Sequence, residues 1–225
     1  DSYVYNSKFN ELNGGGYVGV EKDWGYTHFF VSQFNQKLGM IEGERNEAGQ
    51  FLKHQYAYMS SNPAIKYASS GPYVLAATEA DFNATNPQIP YQHVIHTKYT
   101  LDNNIKWGEG RLKANIAYQR NQRQEFGNIN NPAEKSLYFD LGTLNYSFQY
   151  LLPETNNWKH TIGVNGLQQS NKNKGVEALI PEYKSVEVGL FFYTQKHIDK
   201  FNFSGGARID KKGIEFNGLQ KNYGD

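Results

Sequence analysis

The chain has 225 residues with 23 basic and 22 acidic side chains, spread without long runs, which excludes the basic footprint of a nucleic-acid-binding protein. Cysteine is absent, which excludes a disulfide framework, a zinc-thiolate site and a cysteine nucleophile. No run of 18 apolar residues marks a transmembrane helix, and the 17 Tyr, 14 Phe and 22 Gly favour strands joined by tight turns. No linker composition divides the chain, so residues 1–225 are predicted to form one β domain.

The first predicted element is a β-hairpin over residues 16–36. Two runs rich in Tyr, Val and Phe flank a short turn at Asp23, Trp24 and Gly25. The following residues, 36–90, are dense in Gly, Ser, Asn and Pro, and they are predicted to form one long functional loop with room for a short helix or hairpin.

Beyond Pro90 the sequence alternates long strands with connections of two kinds. Short connections are predicted near residues 108–110, 152–157 and 196–200, and longer polar ones at 127–135 and 172–181. The sequence therefore predicts about eight to nine strands of 10 to 17 residues in an antiparallel up-and-down meander. Strands of that length, with short turns at one end and long loops at the other, are typical of a segment of a transmembrane β-barrel.

The predicted strand from Gly110 shows what each face of such a sheet would meet. Leu112, Ala114, Ile116 and Tyr118 alternate with Arg111, Lys113, Asn115 and Gln119. One face suits lipid and the other suits a water-filled lumen. The same alternation also suits a soluble antiparallel sheet with one solvated face.

Five motifs in one order carry a resemblance to a known family. They read YQRNQRQEF, LGT, WKHTIGVNGLQQSN, IPEY and GGARID, and they begin at Tyr118, Leu141, Trp158, Ile180 and Gly205. In this order they resemble the barrel of Bacteroidetes-type TonB-dependent outer-membrane receptors. The resemblance covers nearly the whole chain and is strongest over residues 90–210.

This resemblance implies a bacterial outer-membrane location and a receptor for energised uptake of a scarce ligand, foremost an iron chelate, haem or a metal ion. It implies outer-membrane lipid, a plug domain, TonB and a small extracellular ligand as partners, with no resident cofactor. Receptors of this family have a plug domain, a segment that engages TonB and a 22-strand barrel, whereas this chain matches only a central part of the barrel. Such a segment leaves two sheet edges, and edge-to-edge self-association is one way to cover them.

No motif predicts an enzyme: GxSxG, HExxH and a phosphate-binding GxxxxGK[ST] are all missing from the sequence. His93 and His96 are separated by three residues, which on a strand points their rings to opposite faces and predicts two independent histidines. His54, in the long loop, is a candidate metal ligand together with nearby carboxylates.

Charged side chains after Tyr118 complete the candidate ligand-binding residues. Arg120, Arg123 and Glu125, with His93 and His96, are predicted to contact an anionic ligand or to form ion pairs within the wall. Trp24, Trp107 and Trp158 all adjoin predicted short turns, as expected of an aromatic girdle at one membrane interface. The main alternative is a soluble β-sandwich that binds carbohydrate or another small ligand on exposed aromatics. A structural β protein without a small ligand is a third interpretation.

Overall fold

The computed structural model describes residues 4–56, 72–129 and 131–217. These residues form an all-β structure dominated by one antiparallel sheet of eight strands, which confirms the predicted meander. The strands are β1 (Phe9–Lys22), β2 (Gly25–Gly39), β3 (Leu52–Tyr56), β4 (Pro72–Ala76), β5 (Tyr91–Trp107), β6 (Gly110–Phe126), β7 (Leu137–Leu151), β8 (Trp158–Asn173), β9 (Glu182–Ile198) and β10 (Phe201–Asn217). The large sheet has the order β1-β2-β5-β6-β7-β8-β9-β10, so each long strand pairs with the next long strand of the chain. A second sheet pairs only β3 with β4.

Tight turns connect neighbouring strands at one end of the sheet. Only two residues separate β1 from β2, β5 from β6, and β9 from β10. Gly25 has φ of 129°, and a Cβ at this position would lie 1.9 Å from the carbonyl oxygen of Asn104. Glycine is therefore required at this turn, because an L side chain would be both strained and obstructed.

The two faces of the large sheet differ in chemistry, as the alternation predicts. We call one the apolar face; it carries Val18, Phe29, Leu101, Ile116, Phe148 and Leu190. We call the other the polar face; it carries Glu21, Asp102, Asn115, Asn165 and Arg208. The register is continuous from β1 to β10, so each face can be followed across all eight strands; on β1 and β2 the polar face also carries the aromatic rings of Tyr17, Tyr26 and Phe30.

The sheet has no second layer among the described residues. Ile209 is 71% exposed, Val18 70% and Leu190 59%, all on the apolar face. Side chains of this kind are stabilised by leaving water, at about 25 cal/mol per Å² of apolar surface. The apolar face therefore lacks the cover that a soluble sheet protein normally provides for itself.

The connection between β2 and β5 holds its own small structure at the end of the sheet opposite the tight turns. β3 and β4 pair as a hairpin, and a short helix, α1 (Glu79–Asn83), precedes β5. The ring of Phe51 is 7% exposed and meets Phe82 edge to face at 6.2 Å. Among the described residues no helix has the length and apolar character needed to cross a bilayer.

Candidate functional site

The five predicted ligand-binding residues all lie on the halves of β5 and β6 that approach the long connections. Their side chains do not form one cluster. His93 and Arg120 lie on the apolar face, whereas His96, Arg123 and Glu125 lie on the polar face. The split follows from the two-residue period of a strand, which sends neighbouring residues to opposite faces.

Arg120 forms an ion pair on the apolar face. Its Nε and Nη2 each donate a hydrogen bond of 2.7 Å to the two carboxylate oxygens of Asp140 on β7. Lys174 Nζ also donates to Asp140 Oδ2. The Asp140 carboxyl side chain is 9% exposed, so two cations compensate one nearly buried anion. Arg120 therefore forms an ion pair within the sheet, as one of the two sequence-based interpretations predicts.

The histidines occupy separate environments, as their spacing predicts. His93 Nε2 lies 2.8 Å from Asn35 Oδ1 on β2, and His96 Nδ1 lies 3.1 Å from Asn121 Nδ2 on β6. The backbone of His54 lies in β3, but its side chain is outside the described part of the structure. The described residues hold no group of three or more His, Cys, Asp or Glu side chains placed to bind a metal ion.

On the polar face, two arginines are held by neighbouring side chains. Arg123 Nη2 donates to Glu125 Oε1 at 2.7 Å, and half of the Arg123 side chain is exposed. Arg111 Nε donates to Asn104 Oδ1 at 2.9 Å. Near the long connections, neutral groups bond across strands: Tyr183 donates to Gln169, and Gln169 donates to Thr143. This face therefore offers a hydrated wall of amides, hydroxyls and paired charges.

Asn6 ties three segments together at the end of β2 and β5. Its side-chain nitrogen donates to the carbonyl oxygens of Met40, Gln88 and Pro90 at 3.1, 2.8 and 2.8 Å. Its side-chain oxygen accepts from the Gln88 backbone N–H at 2.8 Å. Asn6 is 2% exposed and has φ of 58°, a backbone conformation that Asn tolerates better than most residues.

Tyr5 extends this junction toward α1. Its hydroxyl donates to Gln88 Oε1 at 2.8 Å. Burial, together with the negative charges of Asp81 and Glu42, raises the pKa of Tyr5 to about 12. The hydroxyl therefore remains a donor throughout the neutral range.

Asp81 is the second anchor of the β2–β5 connection. It is 7% exposed, and its Oδ2 accepts from Lys53 Nζ at 2.6 Å and from the Thr78 backbone N–H and hydroxyl at 2.8 and 2.6 Å. Gln88 Nε2 donates to Oδ1 at 3.3 Å. Burial by itself raises the pKa of Asp81, but these hydrogen bonds outweigh it and lower the pKa to about 2.

Asp81 should make the free energy of unfolding decrease as the pH falls into the acid range. Because the folded pKa is below the ordinary value, the unfolded chain binds more protons, so this contribution is present above about pH 4 and is lost as pH falls toward 2. Chemical unfolding of the wild type and Asp81→Asn at pH 6, 4 and 2.5 measures the effect. We expect the difference in unfolding free energy to be largest at pH 6 and to shrink at pH 2.5. A difference that is constant over this range would contradict the assignment.

Sequence reasoning did not identify Asn6, Asp81, Asp140 or Lys174 in these roles. Asp140 carried a usable signal, because alternation along LYFDLGTLNY places a carboxylate on the same face as Leu144 and Tyr146. A charge on an otherwise apolar face demands a partner. Asn6 carried no such signal, since its partners are more than 80 residues away at Gln88 and Pro90.

Comparison of the chain with models of known protein families and with curated protein sequences gave no match.

Proposed function

We propose that this chain is part of a bacterial outer-membrane receptor barrel of the TonB-dependent type, serving energised uptake of a scarce ligand. The observation that carries the proposal is the contrast between the two sheet faces. A charge-free, exposed apolar band runs across one face, and charges and amides occupy the other at the same level. This polarity, apolar outside and polar inside, is that of a transmembrane barrel wall.

The height of the apolar band supports a membrane location. On β5 the apolar face carries no charged side chain from Trp107 to Tyr99. These positions span about 26 Å along the strand at about 3.3 Å per residue. The stretch matches the roughly 9 to 11 residues that a tilted strand needs to cross a bilayer.

The register of the sheet supplies a second argument. One row of paired residues starts at Lys22, the last residue of β1, and ends at Ala207, six residues beyond the start of β10 at Phe201. The row is Lys22, Gly25, Ile105, Leu112, Tyr150, Ile162, Phe192 and Ala207. The row thus moves six residues away from the tight turns while it crosses seven strand-to-strand spacings. With a rise of ~3.3 Å per residue and ~4.8 Å between neighbouring strands, this shift corresponds to a strand tilt of about 30°. Closed barrels need a tilt near this value, about 35–45°.

Aromatic residues mark the turn end of the band. Trp107 and Trp158 lie on the apolar face, Trp107 beside a two-residue turn and Trp158 beside the six-residue β7–β8 connection, and they are 61% and 40% exposed. The Lys196 ammonium lies 5.0 Å from the centre of the Trp158 ring. Indole rings and lysine ammonium groups favour the headgroup level of a membrane, so this end suits the periplasmic interface.

The ligand would meet the opposite end. There the long connections and the polar face, with His96, Arg123 and Glu125, form the wall that an entering solute would contact. An iron chelate, haem or a metal ion is the proposed ligand class, with no covalent chemistry and no resident cofactor. Transport would need the plug domain and TonB of a complete receptor, to which this sheet contributes wall and loops.

The sheet edges require a partner in this proposal. The described residues of β1 and β10 are exposed along their full length and have no second neighbouring strand. Further strands of the same barrel or a second copy of this chain would satisfy their backbone groups. The two edge strands run antiparallel to each other, which suits either arrangement.

Light scattering of the purified chain with and without detergent tests the proposal. We expect a defined particle only in detergent or lipid, because the apolar face needs cover. A monodisperse monomer in plain buffer would overturn the barrel proposal and favour the soluble β-sandwich binding module instead.

A further inference from the structure

A groove of about 780 Å³ interrupts the apolar face at the level where the charge-free band meets charged side chains. Its floor is low because Gly142 of β7, Ser170 of β8 and Gly213 of β10 have small side chains or none. Tyr118 bounds one side, and its hydroxyl oxygen lies 3.4 Å from where a Cβ of Gly142 would stand. The groove is thus a built depression, open to the surroundings of the sheet.

The two ends of the groove differ in chemistry. Toward the tight turns its lining is Leu144 and Val186, and it continues into the apolar band. Toward the long connections its lining is Lys184 and Glu215, which face each other across β9 and β10. Lys184 is exposed and forms no ion pair with any described residue.

The rim above the groove carries an excess of positive charge. Between the charge-free band and the long connections, the apolar face carries more cations than carboxylates. Lys174 is counted with them because it bonds to Asp140 of this face. On the strands that line the groove, and with Lys174 included, the cations are Arg120, Lys172, Lys174, Lys184 and Lys211, and the carboxylates are Asp140, Glu182 and Glu215. Asp140 is already compensated twice, so the residual field at the rim favours an anion.

We propose that this groove binds an anionic phospholipid, one with a net negative headgroup, with an acyl chain along Leu144 and Val186 and the phosphate at Lys184. The proposal rests on the proposed function, since it takes the apolar band as the lipid-facing surface. An apolar slot that ends at an unpaired ammonium matches the order of tail and headgroup in such a lipid. Anionic headgroups are attracted by basic side chains at the membrane surface.

Equilibrium binding to the full chain in neutral detergent tests the proposal. The probes are short-chain phosphatidic acid, phosphatidylcholine with the same acyl chains, and inorganic phosphate, each followed by native mass spectrometry and titration calorimetry. We expect phosphatidic acid to bind at least tenfold more tightly than phosphatidylcholine, and equimolar inorganic phosphate not to compete. Lys184→Gln should weaken phosphatidic acid binding about fivefold, the loss expected for one basic residue at an anionic surface.

Two further variants serve as controls, one expected to leave lipid binding unchanged and one expected to strengthen it. Lys113→Gln removes an exposed lysine of the polar face that also has no described ion pair, and it should leave binding unchanged. Glu215→Gln removes the carboxylate opposite Lys184 and should strengthen binding. Equal affinity for the two lipids, or equal losses for Lys184→Gln and Lys113→Gln, would overturn the lipid site. Competition by inorganic phosphate would show a simple anion site and would also overturn it.

Failure of this site is distinguishable from failure of the proposed function. Insertion of the chain into phosphatidylcholine vesicles, measured by flotation, depends on the apolar band alone. Insertion without a preference for phosphatidic acid would reject the groove and leave the barrel proposal intact. Absence of insertion would reject both.

Discussion

Ile116→Arg is expected to lower the free energy of unfolding by about 2–4 kcal/mol when the chain is inserted in lipid vesicles. Ile116 lies in the middle of the charge-free band of β6, with Leu101 and Tyr146 as its cross-strand neighbours on the apolar face. An arginine there must keep its charge in hydrocarbon or distort the bilayer to reach water. Denaturant unfolding in phosphatidylcholine vesicles measures the loss.

Asn115→Arg is the matched control for that substitution. Asn115 is the preceding residue on β6, points to the polar face and pairs with Asp102 of β5. An added guanidinium beside that carboxylate should change the unfolding free energy by less than about 1 kcal/mol. Equal effects of the two substitutions would mean that both faces meet water, and the barrel proposal would fail.

Asn6→Ala is expected to produce the second large effect, a loss of about 3 kcal/mol or more in the free energy of unfolding. The substitution removes the Asn6 partner of the Met40 and Gln88 carbonyl oxygens and of the Gln88 N–H, while the Pro90 carbonyl keeps its bond from the Met40 N–H. Each unsatisfied buried group costs about 1–3 kcal/mol. Alanine also tolerates φ of 58° less well than asparagine. Hydrogen exchange should show the loss as faster exchange around residues 39–40 and 88–91.

Asn156→Ala separates the backbone cost from the lost hydrogen bonds. Asn156 has φ of 51° but is exposed in the connection between β7 and β8. Its substitution should therefore cost only the backbone strain, about 1 kcal/mol. If Asn6→Ala were no worse than Asn156→Ala, the junction at Asn6 would not hold the β2–β5 connection in place.

The Asn6 junction also bears on ligand capture. It fixes both ends of the β2–β5 connection against the sheet, since Gly39 N–H bonds to the Lys8 carbonyl and Met40 N–H bonds to the Pro90 carbonyl. A Cβ on Gly39 would lie 2.1 Å from the carbonyl oxygen of Asn6, so the approach needs glycine. The connection is therefore anchored at its base, as a loop that must present contacts in a fixed geometry would require.

The sequence predicted much of the fold because the relevant signals are local. Alternation over Leu112 to Gln119 defined the two faces of β6, and the short polar breaks at residues 23–25 and 108–110 located the turns. The connection near residues 36–90 was harder to interpret. β2 continues to Gly39, and β3, β4 and α1 occupy part of the connection, since their contacts such as Phe51 with Phe82 join residues that no short pattern links.

The amino-acid sequence by itself determined the all-β meander, the polarity of each face and the placement of His93 and His96 on opposite faces, because a strand's two-residue period is a property of its own backbone. Only the tertiary structure decided that Arg120 and Lys174 both pair with Asp140, and that Asn6 bonds to Gln88. Those contacts depend on the register between strands and on chain segments brought together from 20 to more than 80 residues away. Register is set by the sum of many cross-strand pairs, and no single stretch of sequence carries it.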